Sequence, residues 1–232
     1  MSLTDWAPRP RPHRMRLEGD YIRLEPLDPA RHGDELFEAG SGPDRDMLWR
    51  YLTDRPFPDR PSFEPWLAQA AASEDPLFFA IVDRDTCRTE GRLALMRIDP
   101  ANGVAEVGHI LFGPRLARSR GATEAIFLLA RWVFDDLGYR RLEWKCDNRN
   151  APSKRAAVRF GFSYEGLFRQ HMVVKGENRD TAWFAMTERD WSSRKSAYVR
   201  WLSPSNFDAT GHQLRALSNL MNRAAGRNRD SD

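Results

Sequence analysis

Cysteine is almost absent from this 232-residue chain, which holds only Cys87 and Cys146. Two isolated thiols are too few for a disulfide framework or a cysteine-based metal site, and they point to a reduced, cytoplasmic protein. Long apolar runs are missing as well. Nothing approaches the roughly eighteen residues of a membrane span, and the opening MSLTDWAPRPRPHRMR lacks the apolar middle of a secretory signal. The body also lacks a strong charge of either sign. The net charge of +3 sits at the ends: residues 191–232 carry seven basic against three acidic residues, and residues 1–20 carry four against three. A slightly acidic body weakens any reading as a nucleic-acid-binding face.

What is present is material for one sizeable core, with 41% hydrophobic and 11% aromatic residues. Residues 1–20, Pro/Arg-rich without periodicity, read as a flexible leader. YIRLEPL (21–27) alternates like a strand, and Asp28-Pro29 supplies a cap and a first helical proline for a helix to about Ala39. Residues 40–61, with four prolines and Trp49, Tyr51 and Phe57, read as a structured loop or broken helix. Ser62 is placed as the cap of a helix ending near Ser73. Strands are expected at 77–82, 91–98 and 106–112, then a helix over 123–137 closed by Gly138, a strand at 141–146 and a short helix from Ser153 to Phe160. A closing strand pair and a helical, basic extension over 191–232 follow, striped with Trp191, Tyr198, Trp201, Leu214, Leu217, Met221 and Ala224. The end of the basic extension beyond Arg223 is expected to stay solvated, while the stripe docks on the domain or on a second subunit, so a homodimer is one expected assembly. The element order predicts an α/β (α+β) protein with a mixed, mostly antiparallel sheet flanked by helices, and a body spanning residues 21–190.

Four short motifs stand in this frame: E-V-G-H-I-L-F (106–112), A-T-E-A (122–125), Asp147-x-x-Asn150-x-x-Ser153 and F-G-F-x-x-E-G (160–166). Together, in this order and spacing, they resemble the GNAT acetyltransferase superfamily, and more closely its branch that acetylates the N-termini of ribosomal proteins. The resemblance runs from about Tyr21 to Trp191. It implies an acetyl-CoA-dependent N-acetyltransferase that moves the acetyl group to a primary amine, a protein N-terminus or a small molecule, by direct attack in a ternary complex. No metal and no membrane are implied. The chain departs from the family in the loop before the main helix. Ala117 and Arg120 replace the usual first position and glycine, and Gly121 falls one place late.

The resemblance implies roles residue by residue. The strand around Gly108 splays from its neighbour and admits the pantetheine arm, so that Ile110, Leu111 and Phe112 offer backbone N–H groups to the cofactor and the thioester carbonyl. A glycine at 108 marks a bulge or a close approach. Arg115, Arg118, Ser119, Arg120, Gly121, Ala122 and Thr123 lead into a helix N-terminus, where free N–H groups and the helix dipole suit a pyrophosphate. Cations there are unfavourable unless an anion shares the site, although a solvated basic loop would look the same.

Asn150 is implied to contact the CoA arm, and Ser153, also placed as a helix cap, to protonate the leaving thiolate. Glu106 is the implied base, with His109 as its rival on the opposite face by strict alternation. Cys146 is read as lining the site, not as a nucleophile, because direct transfer needs no acyl-enzyme. One of Trp49, Tyr51 and Phe57 is expected to touch the acceptor. Two other classes stay open at this level: a non-catalytic acyl-CoA or peptide-binding module, and an RNA- or ribosome-associated protein using its basic tail.

Overall fold

A computed structural model describes residues 4–227, and the side chains through Asn222. Its centre is one eight-stranded sheet, ordered β1-β2-β3-β4-β5-β6-β8-β7. The strands are β1 Leu17–Glu18, β2 Ile22–Pro26, β3 Leu77–Asp83, β4 Thr89–Asp99, β5 Val104–Phe112, β6 Arg141–Asp147, β7 Ser163–Val174 and β8 Glu177–Thr187. Every neighbouring pair is antiparallel except β5 and β6. This is the mixed, mostly antiparallel sheet expected from the element order.

Strand β3 shows why the sheet is covered on both faces. Its run Leu77–Val82 is wholly buried. Phe78, Ala80 and Val82 face α1 (Pro29–Ala39) and α3 (Arg60–Ala72), while Leu77, Phe79 and Ile81 join the larger core under α4 (Arg120–Arg131). Asp28 caps α1 as expected, its carboxylate accepting from the N–H groups of Ala30 and Arg31. In α3 the cap is Asp59, three residues before the expected Ser62, which instead is its partner in a reciprocal capping box. A short α2 (Arg45–Trp49) stands within residues 40–61, as the broken-helix alternative expects.

The main helix starts at Arg120 on a Ser119 cap and gives way to a five-residue π turn over Trp132–Asp136, which lets Trp132, Val133 and Phe134 all reach the core. Gly138 closes it with φ +67, a backbone that favours glycine. The helix is fixed to the sheet by Glu124 of the A-T-E-A motif. Its buried carboxylate accepts from the backbone N–H groups of Asp20, Tyr21 and Ile22 at 2.8, 2.7 and 2.8 Å.

The N-terminal end of the chain departs from the expectation of a flexible leader. Residues 4–20 lie along the domain instead of forming a free leader. Trp6 Nε1 donates to Ala101 O at 2.7 Å, Arg14 reaches the carbonyls of Ala71 and Ser73, and Leu17–Glu18 pairs with β2. The composition misses this because each contact is a single polar or aromatic anchor without periodicity.

The extension docks on its own domain. In α6 (Glu188–Leu202), Trp191 stacks on Phe134 and donates to Asp135 Oδ1 at 2.6 Å, and the Tyr198 hydroxyl donates to Phe160 O at 2.8 Å. Helix α7 (Leu217–Arg227) buries Leu217, Leu220 and Met221, whereas Leu214 precedes it and is exposed. The Ala224 side chain and the basic end beyond Arg223 lie outside the described side chains. Trp191→Ala should cost about 3–5 kcal/mol, the usual scale for emptying a buried tryptophan site. Denaturant unfolding measures it, and an unchanged midpoint contradicts tight docking.

Candidate active site

Three residue pairs decide the shape of the site. Strands β5 and β6 pair only through Val104–Arg141, Ala105–Leu142 and Glu106–Glu143. Beyond Glu106 the two strands diverge, leaving residues 107–112 of β5 without a partner on that edge. Asn150 and Ser153, at the start of α5 (Ala151–Arg159), follow directly from the end of β6.

A bulge in the β4–β5 ladder bends the same stretch. Ala94 pairs with Gly108 and Arg92 with Leu111, so His109 and Ile110 together oppose Leu93. The expected bulge is present one residue later than Gly108, at His109, whose φ is +50. Gly108 marks a close approach instead, since a Cβ there would sit 2.4 Å from Met96 Sδ. The bulge also resets the alternation. His109 packs its ring on Phe78, on the same side of the sheet as Ala94 and Glu106, against the opposite-face expectation.

Arg92 holds this bulge, and no sequence signal marked it. It is completely buried, and its Nη1 donates to His109 O at 3.0 Å. Its guanidinium lies 4.4 Å from the ring centre of Trp66 and 5.5 Å from that of Trp49. Nε and Nη2 have no hydrogen-bond partner among the described residues. Burial pulls Arg92 down to about 10. Burial, followed by the Arg92 charge, pulls His109 down to about 4.

On the sheet face beside the gap, Glu106 is buried and its Oε2 meets Arg97 Nη1 at 2.6 Å and Lys145 Nζ at 2.9 Å. Lys145 Nζ also reaches Glu143 at 2.6 Å and stands 3.9 Å over the Trp183 ring. Arg97 and Lys145 belong to the site although the sequence reading missed them. Both look like ordinary strand cations until the fold sets them beside Glu106.

The opposite wall carries the Asn150 and Ser153 pair. Asn150, not Ser153, is the α5 cap, and its side chain accepts from Ser153 N at 3.1 Å. The Ser153 hydroxyl accepts from Trp144 Nε1 at 3.0 Å and neighbours the buried Cys146 thiol, which burial pushes up. A thiol raised by burial fits the lining role and not a nucleophile.

The arginines before α4 separate. Arg115 pairs with Glu90 at 2.8 Å. Arg118, at φ +62, is exposed with no acidic partner among the described residues. Arg120 lies 3.8 Å over the Phe207 ring of the extension and 5.5 Å from that of Tyr21. Ser119 caps the helix by accepting from Ala122 N at 3.1 Å. Gly121 packs on Ile22, where a Cβ would stand 2.7 Å from Cγ2. Thr123 is buried and its hydroxyl accepts from Arg159 Nη1 at 3.1 Å. Leu111 points into the core, and Ile110 and Phe112 pack against it, so residues 110–112 can serve a ligand only through their backbone.

Of the loop aromatics, Trp49 is buried and donates to Gly40 O at 2.7 Å, Phe57 packs on its edge, and the Tyr51 hydroxyl donates to Arg149 O at 3.2 Å. Lys175, at the β7–β8 tip, donates to Trp49 O at 2.8 Å and ties the loop to that hairpin.

The low value of His109 has a pH consequence. Between 6.5 and about 4 the unfolded chain binds a proton that the folded protein refuses. Stability should therefore fall as pH drops below 6.5, with the loss complete near 4 and about 3 kcal/mol at most. His109→Gln should flatten that part of the acid limb in thermal melts, whereas an unchanged limb assigns it to other groups.

Comparison with known proteins agrees with this architecture. Residues 22–163 match the model of the acetyltransferase (GNAT) domain. A crystal structure of a GCN5-related N-acetyltransferase from Brucella melitensis superposes with a TM-score of 0.94 at 54% identity, covering 95% of this chain and 100% of that one. The N-acetyltransferase p20 of Bacillus licheniformis is 31% identical over 114 residues, 49% of this chain and 64% of p20. A Bacillus subtilis protein named for ribosomal N-acetylation, YdaF, is 26% identical over 106 residues, 45% of this chain and 57% of YdaF. The chain thus spans somewhat less than two thirds of the length of these two curated relatives. It belongs to the GNAT acetyltransferase family.

Proposed function

We infer that the protein transfers the acetyl group of acetyl-CoA to a primary amine by direct attack in a ternary complex. The observation that carries the reading is the gap between β5 and β6, flanked by the bulge at His109, with Glu106 beside its closed end and Asn150 and Ser153 on its far wall. The pantetheine arm would pair with the unpartnered edge of β5, and N–H groups there would receive the negative charge that grows on the thioester oxygen. The amine nitrogen bonds to the carbonyl carbon, the carbon–sulfur bond breaks, and CoA leaves as the thiol. The Glu106 carboxylate takes the proton from the amine, directly or through a water. The Ser153 hydroxyl accepts from Trp144 and also neighbours the Cys146 thiol, and it would turn its hydrogen to the departing sulfur.

For the acceptor, a chain end suits the open side of the site. Beyond β6 the sheet face carries the stacked pair Phe168–Trp183, with Phe168 nearly half exposed, and Val173 stands out in solvent. The likeness to YdaF, named for a ribosomal acceptor, supports the same class. A purely binding protein would need none of the proton-handling groups at the gap. An RNA partner for the extension loses support because Arg194 donates to Met221 O and Lys195 pairs with Asp135.

Glu106→Gln keeps the shape and removes the base. Turnover with an N-terminal peptide panel should fall about a hundredfold or more while acetyl-CoA affinity holds. Near-normal turnover across the pH range would assign the proton to another group. The two exposed arginines of the loop should behave differently in calorimetry. Arg118→Ala is expected to weaken acetyl-CoA binding roughly tenfold, and Arg115→Ala, which removes a partner of Glu90, to leave it nearly unchanged. Equal effects would contradict the division of the loop.

A further inference from the structure

The C-terminal extension encloses the start of α4. Its segment 203–216 is a built loop: the buried Asn206 donates to the carbonyls of Trp201 and Arg215 and accepts from Arg215 N, and Trp201 Nε1 donates to Gln213 Oε1 at 2.8 Å. One aromatic ring of this loop and one of α6 lie against two arginines. Phe207 lies under Arg120 at 3.8 Å, and Trp201 under Arg159 at 5.1 Å. Arg159 in turn donates to Thr123 in the first turn of α4. Burial lowers Arg159, so its charge is held at a cost.

Beside Arg159 lies a cavity of about 520 Å³, lined by Lys154, Arg155, Tyr164 and Phe184, with Ser218 of α7 contributing to its wall. That is the size of a small-molecule pocket, roughly 300–1,000 Å³. None of Lys154, Arg155, Arg159, Arg118 and Arg120 has a carboxylate within ion-pair distance among the described residues. Elsewhere, guanidiniums such as Arg115, Arg141 and Arg149 do find one. Lys154, Arg155 and Arg159 along the cavity, and Arg118 and Arg120 before the positive end of α4, are two groups of unpaired cations, and each suits an anion of high charge.

We propose that the extension is a working part of the cofactor site: Trp201 and Phe207 position Arg159 and Arg120 for the phosphates at the nucleotide end of acetyl-CoA, which occupies the cavity beside α5. This rests on the acetyl-CoA reading above. A guanidinium stacked on a ring keeps its in-plane N–H donors free, so each aromatic residue fixes an arginine without consuming the donors that a phosphate needs. Trp201 and Phe207 are positioning residues, and the ligand chemistry is that of a nucleoside bearing a diphosphate and a further phosphate ester.

The test compares acetyl-CoA with acetyl-pantetheine, which has the same thioester and no nucleotide. In the full-length protein, Arg159→Met should lower the ratio of kcat/KM for acetyl-CoA over acetyl-pantetheine by roughly tenfold or more. Arg159→Lys, which keeps the charge, should recover part of it. Phe207→Ala should lower the same ratio by about threefold to fivefold. Thermal melts confirm that each variant is folded, and a variant that fails this check is replaced by Arg159→Lys or Phe207→Leu. Ratios equal to wild type in folded variants, or equal losses on both donors, overturn the proposal while leaving the transferase reading intact. A wild-type protein that neither binds nor consumes acetyl-CoA overturns both.

Discussion

Arg92 carries its positive charge under the α1–α3 layer, and its hydrogen bond to His109 O ties β4 to the bulge of β5. A left-handed residue inside a strand is unfavourable by about 1–2 kcal/mol, so something must hold it. The guanidinium supplies the hold, and Trp49, Trp66 and Phe78 supply the environment that makes a buried cation tolerable. The bulge in turn moves His109 onto the face of Glu106 and re-aims the backbone of residues 110–112. The aromatics of the 40–61 loop and of α3 therefore shape the site through Arg92, whether or not they meet the acceptor.

The charged residues separate into two groups. Around Glu106 they are closed on themselves, with Arg97, Lys145 and Glu143 each finding a partner of opposite sign. Around the start of α4 they stay open, with Arg118, Arg120 and Arg159 offered to something that the folded chain does not itself provide. The first arrangement fixes a carboxylate beside the point where β5 leaves β6. The second suits a polyanion. One cofactor with an acyl thioester at one end and phosphates at the other matches both, and the sheet gap is the path between them.

Much of this was legible in the chain. The element order, the cap at Asp28, the main helix and the terminal stripe of Trp191, Tyr198 and Trp201 follow from periodicity and turn chemistry, which act over a few residues. The motifs E-V-G-H-I-L-F, A-T-E-A and Asp147-x-x-Asn150-x-x-Ser153 located the gap, the helix start and its far wall. Where the reading slipped, a neighbour distant in sequence had decided. Ser153 looks like a cap by local rules, yet Asn150 takes that role and the Ser153 hydroxyl meets Trp144 across the α5–β6 packing.

The sequence by itself determined the family, the sheet and the identity of the residues near the gap, because those depend on local pattern and motif spacing. Tertiary structure alone decided which charges are free. Arg115, Arg118 and Arg120 are equivalent in a linear reading of GPRLARSRGA. In the fold Glu90 claims the first, solvent keeps the second, and Phe207, eighty-seven positions along the chain, lies under the third. Arg92 and Arg159 are silent in the sequence for the same reason. A charge acquires its role from the burial and the partners around it, and both arise only when distant segments pack together.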